Sequence, residues 1–79
     1  MQDLIIIHFT VDGEPLTTSE TALTAGQILT LAGLSPDDHY LVQLLGSDRI
    51  SHRGHPEELV QMEEGEVFVS MHFGPVPVS

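Results

Sequence analysis

Cysteine and lysine are both absent from this 79-residue sequence. Without cysteine there is no disulfide framework, no thiolate zinc site and no thiol nucleophile, so redox chemistry does not fix a compartment. Without lysine, the only cationic side chains besides histidine are Arg49 and Arg53. They stand against twelve acidic residues, for a formal net charge of −10. That balance disfavours nucleic-acid backbones and anionic membrane surfaces and favours basic partners. The acids are dispersed as Asp37-Asp38, Glu57-Glu58 and Glu63-Glu64-Glu66. This dispersal reads as a solubility device, whereas mimicry of DNA would need a denser ridge. Long hydrophobic runs are missing too: Leu4 to Ile7 is the longest purely aliphatic stretch, too short to cross a bilayer. No basic-then-apolar leader opens the sequence, and the cytoplasm is the expected compartment.

Motifs for catalysis are equally scarce. There is no Ser/His/Asp pattern, no nucleophile elbow and no phosphate-cradling glycine loop. Five histidines (His8, His39, His52, His55 and His72) raise the question of a metal. His52 and His55 have i,i+3 spacing, but Arg53 lies between them and no third ligand stands close, so no metal and no cofactor are expected. An enzyme is not expected.

What is present is one convincing helix. Thr24 followed three residues later by Gln27 fits a capping box. Ala25, Ile28, Leu29 and Ala32 fall on one face, with Leu31 at its flank and Thr30 opposite. Gly33 can end the helix in the left-handed conformation with Leu34 reaching back to Leu29, and Pro36 blocks continuation. A helix this short is unstable alone, so its apolar face must rest on a sheet. Strands are expected over Leu4–Phe9, Pro15–Glu20 after an Asp12-Gly13 turn, His39–Leu45, a weak edge near Arg49–His52, and Glu66–Phe73. Glu58-Leu59-Val60 reads as a brief extended or 3₁₀ segment. A chain of this size buries roughly 60–65% of its unfolded surface, about what one sheet layer and one helix supply. The first and last strands are the most apolar and are expected side by side at the centre, with the helix across one face. The fold class is thus α+β, a β-grasp with a mixed four- to five-stranded sheet, as one domain over residues 1–74 and a flexible tail over 75–79.

Strand alternation assigns the faces. Ile5, Ile7, Phe9, Val67, Val69, Met71 and Phe73 are expected to point at the helix, and polar Gln43 suggests that Tyr40, Val42 and Leu44 do so as well. The outer face would then carry Ile6, His8, Leu41, Gln43, Leu45, Phe68, Ser70 and His72. Scattered surface hydrophobes are ordinary, but four apolar side chains, Ile6, Leu41, Leu45 and Phe68, on a half-solvated face suggest a partner-binding patch.

Val11-Asp12-Gly13, Thr24-Ala25-Gly26-Gln27-Ile28-Leu29 with Leu31-Ala32-Gly33, Tyr40-Leu41-Val42-Gln43-Leu44 and Glu64-Gly65-Glu66-Val67-Phe68-Val69 together resemble the bacterial ubiquitin-like proteins, in particular the multiubiquitin-type β-grasp domains. The resemblance runs from Ile5 to Phe73. It implies a protein modifier whose C-terminal carboxyl is adenylated by an activating enzyme, passed to a conjugating enzyme and attached to a target. The matching reactive residue would be Gly74, freed by a processing peptidase that cuts before Pro75. With no lysine, chains on the protein itself would have to run through Met1 or through Ser or Thr esters. The alternatives are a non-conjugated adaptor or self-assembling domain, a possible homo-oligomer acting through the outer face, and a sulfur carrier, which needs a terminal Gly-Gly that this chain lacks.

Overall fold

The computed structural model describes residues 5–73. In chain order its elements are β1 (Ile7–Val11), β2 (Glu14–Thr18), β3 (Ala22–Thr24), α1 (Ala25–Leu31), β4 (His39–Leu45), β5 (Asp48–Ser51), β6 (Leu59–Gln61) and β7 (Glu66–His72). They form a five-stranded mixed sheet ordered β2-β1-β7-β4-β5 and a two-stranded ladder of β3 with β6. The architecture is α+β. The β1–β7 pair is parallel and the other pairs are antiparallel, so the first and last strands meet inside the sheet as expected.

Local chemistry explains the boundaries. β1 turns into β2 through Asp12 and Gly13, both left-handed (φ 53° and 81°), the conformation of a tight hairpin. The helix opens with the capping box: Thr24 Oγ1 accepts from the Gln27 N–H (3.1 Å) and Gln27 Oε1 accepts from the Thr24 N–H (2.8 Å). It closes with Gly33 at φ 80°, whose N–H donates to the Thr30 C=O, while the Leu34 N–H donates to the Leu29 C=O. That is a Schellman ending. Two more N–H groups of the first turn find partners far along the chain, Ala25 on the Glu58 C=O and Gly26 on the Pro56 C=O, both 2.9 Å.

The core lies between α1 and one face of the large sheet. Ala25, Ile28 and Leu29 meet Ile7, Phe9 and Val11 of β1, Leu41 of β4, Phe68 of β7, Leu23 and Val60 of the small ladder, and Met62. Phe9 and Phe68 pack edge to face, centroids 6.0 Å apart at 84°.

β1 presents the faces expected of it, with Ile7, Phe9 and Val11 inward; Ile5, ahead of the strand, is exposed rather than packed on the helix. β4 and β7 are turned the other way. Phe68 is fully buried and Leu41 likewise, whereas Val67 and Met71 are 42% and 46% exposed. The reason is register. Val11, which is buried, stands opposite Phe68, and Leu41 stands opposite Ser70, so β7 and β4 must put Phe68 and Leu41 on the helix side. Gln43 is an inward residue despite its polarity: its Nε2 donates to Glu66 Oε1 (2.8 Å), which removes the cost of an unmatched amide.

Candidate functional site

Among the described residues no helix or strand packs on the face of the large sheet opposite α1. Cross-strand partners share a face, so the pairs Tyr40 with Met71, Val42 with Val69 and Leu44 with Val67 stack across β4 and β7 on this side. Thr10 continues the row beside Val67 on β1, and Ser51 and Arg49 continue it beside Val42 and Leu44 on β5. Val42 is only 7% exposed although it stands apart from the helix-side cluster. A depression of about 180 Å³ is lined by Tyr40, Val42, Arg49, Ser51, Val69 and Met71.

The patch has one electrostatic border. Arg53 lies over the Tyr40 ring (5.4 Å) and the Phe73 ring (6.0 Å), and the two rings are themselves 5.4 Å apart. Arg49 lines the depression. Both arginines of the chain therefore border one apolar surface, in a protein that carries twelve acids. Guanidinium groups stacked on aromatic faces are held in place yet keep donors free for a carboxylate. On the opposite flank His8 is tied to Glu64: the His8 N–H donates to Glu64 Oε1 (2.9 Å), and His8 Nδ1 lies 3.0 Å from Oε2. The His8 backbone N–H first, and then its ring, hold the Glu64 carboxyl below the usual carboxylate range.

No family model matches the chain, and no match was found among curated proteins or solved structures.

The sequence-derived patch does not assemble as expected. Ile6 and His8 are exposed and His8 is outward, but Leu41 and Phe68 are core residues. Gln43, Leu45, Ser70 and His72 belong to the helix-side alternation of their strands. The Ser70 N–H and hydroxyl both donate to the Asp12 carboxylate. His72 packs edge-on against His39, centroids 5.1 Å apart. The outer surface is built instead from Tyr40, Val42, Leu44, Val67, Val69 and Met71, residues that sequence reasoning assigned to the core. The usable signal was the buried end of β1: pairing Val11 with Phe68 inverts the assignment of both later strands. Gly74 and Pro75 lie outside the described residues.

His52, one of the two histidines weighed as metal ligands, is buried, with Nδ1 2.6 Å from Glu58 Oε1. His55 is exposed and lies 3.5 Å from Glu57. Among the described residues no group of three His, Asp or Glu side chains converges on a point that could hold a metal. The wider clefts lie elsewhere, one of about 510 Å³ beside the helix and one of about 410 Å³ under the β5 edge.

Proposed function

We propose that this chain is a β-grasp domain of the ubiquitin-like kind that acts by being recognised through the outer face of its large sheet, and that it is not an enzyme. The strand order, the parallel central pair and the single helix across one face support the β-grasp reading. The observation that carries the recognition reading is the outer face itself. Six apolar side chains from β4 and β7 lie together there, bordered by the chain's only two arginines. The complementary partner is a protein surface with an apolar centre and carboxylates at its edge, since aromatic and Arg anchors around a desolvated centre carry most interface energy.

A photo-crosslinking residue placed at position 71 in the native cell tests this. Adducts should form there, should be lost when Arg49 and Arg53 are both changed to Glu, and should not form from position 31, which is exposed on the helix. Equal labelling from both positions would sink the reading.

A second reading, conjugation through Gly74, is favoured by one observation. Among the described residues β7 is both a central strand and the last one, and Phe73, which follows it, packs beside Tyr40 and Arg53 at the border of the patch. Activating and conjugating enzymes, with a peptidase that removes residues 75–79, would then be partners, and the cytoplasm their meeting place. A form ending at Gly74 should give an enzyme-linked thioester with its activating enzyme. Intact masses from native cells showing only full-length, unadducted chain would exclude conjugation.

A further inference from the structure

The large sheet ends on one side at β5, and the phase of its hydrogen bonds fixes what that edge offers. The His52 N–H donates to the Leu41 C=O (2.9 Å), and the register sets Val42 opposite Ser51, Gln43 opposite Ile50 and Leu44 opposite Arg49. Bonded and non-bonded pairs alternate along an antiparallel ladder. Asp48, Ile50 and His52 therefore turn their backbone groups toward β4, and Arg49 and Ser51 turn theirs away. The whole of β5 is exposed, and it contains no proline. The other edge, β2, carries Pro15, which has no N–H to offer. On the helix side, the β5 edge is also apolar: Leu45, Ile50 and Leu59 are exposed and line the cleft of about 410 Å³.

We propose that a second copy of this chain pairs at this edge, β5 against β5 and antiparallel, about a two-fold axis through Ile50. Opposite residues in a ladder share a face, so a symmetric pairing must be centred on one residue. Centred on Arg49, it sets guanidinium against guanidinium. Centred on Ser51, it sets Arg49 opposite Arg53. Centred on Ile50, it sets Ile50 against its own copy, Arg49 opposite Ser51, and Asp48 opposite His52, with no like charges facing.

That register also joins the free N–H and C=O of Arg49 to those of Ser51 on both sides of the axis. Each Ile50 covers the rim of the other copy's cleft. The Asp48 carboxylate of each copy is brought opposite His52 of the other, a buried imidazole whose Nδ1 faces Glu58 and whose Nε2 has no partner among the described residues. Asp48 thus stands opposite an imidazole rather than a second carboxylate, and Arg49 opposite a hydroxyl, so no residue pair of the seam sets acid against acid or cation against cation. The interface is isologous, and one sheet runs through both copies. It leaves the outer face open, so it does not rest on the recognition reading.

The absence of cysteine makes the register directly readable. Across a non-bonded antiparallel pair the Cα atoms are about 4.5 Å apart, within the roughly 4.4–6.8 Å that a disulfide spans. Full-length protein carrying Ile50→Cys should oxidise readily to a covalent dimer, while Arg49→Cys and Ser51→Cys, tested singly, should lag at least tenfold. Sedimentation equilibrium should give a dimer for the native chain and for Met71→Asp on the outer face, and a folded monomer for Ile50→Lys. Added salt should tighten the dimer, because screening relieves the repulsion between two acidic chains. A native chain that stays monomeric at millimolar concentration would overturn the proposal. So would equal crosslinking at positions 49, 50 and 51, or a dimer lost in Met71→Asp but kept in Ile50→Lys.

Discussion

Whether β7 faces the helix with Phe68 or with Val67 can be decided by comparing substitutions at these adjacent positions. Phe68 is wholly buried, stands between Val11 of β1 and Gln43 of β4, and packs edge-on against Phe9. Truncating a buried Phe to Ala costs about 3–5 kcal/mol, of which about 1 kcal/mol is the aromatic pair. A domain this small holds only about 5 kcal/mol in all, so Phe68→Ala should be largely unfolded in buffer. Phe68→Leu keeps most of the volume and should cost about 1–1.5 kcal/mol. Val67 is 42% exposed on the other face, and Val67→Ala should cost under about 1 kcal/mol. With a urea slope near 1 kcal/mol/M, Phe68→Leu should lower the midpoint by about 1 M or more and Val67→Ala by clearly less. Far-UV circular dichroism is the readout. A larger shift for Val67→Ala than for Phe68→Leu, or a folded Phe68→Asp, would refute the placement of β7.

Asp12 sits at φ 53° and accepts from the Ser70 N–H and hydroxyl. Asp12→Ala should therefore cost about 2 kcal/mol, from left-handed strain and lost hydrogen bonds together, and Asp12→Asn about half of that in thermal melts. An ideal Cβ at Gly26 would lie 3.2 Å from the Pro56 carbonyl oxygen, which already accepts the Gly26 N–H. Gly26→Ala should therefore fail to show the gain of about 1 kcal/mol that helix propensity alone would give, and a clear rise in melting temperature would contradict that. The Glu64 carboxyl is depressed by His8, so its contribution is present above the unfolded carboxyl value and is lost as pH falls through the lower folded value. Urea midpoints of Glu64→Gln should lie below wild type at neutral pH and converge with it in strong acid. Because the group is fully exposed, high salt should narrow the gap.

Much of the fold was legible because its signals are local. The capping box, the glycine that ends α1 and the Asp12-Gly13 turn each depend on a few consecutive residues, and each forms where the sequence places it. The central pairing of the first and last strands was legible from their apolar content. The β3–β6 ladder was not, since Ala22-Leu23-Thr24 abuts the helix with no alternation of its own, and Leu59-Val60-Gln61 is too short to show one. The surface was misread for a different reason. In β7 both alternating sets contain apolar residues, and the more numerous set, Val67, Val69 and Met71, is the outer one. Counting hydrophobes favours that set, whereas the ring volume of Phe68 and its pairing with Val11 decide the face, and pairing is a non-local fact. Gln43 compounded the error because its partner, Glu66, lies on another strand.

The two long-range hydrogen bonds at the start of α1 bear on the order of folding. Residues 25 and 26 take their carbonyl partners from residues 58 and 56, so the first turn is completed only after more than half of the described chain has been threaded into place. A seven-residue helix with a costly nucleus has little chance of persisting before then, even with its capping box. The element that is easiest to recognise in the sequence is thus among the last to become permanent, and the β1–β2 hairpin, closed by its own turn, is the natural early structure. In hydrogen exchange, the amides of Ile28 and Leu29 should open together with those of β6, as one cooperative unit distinct from the hairpin.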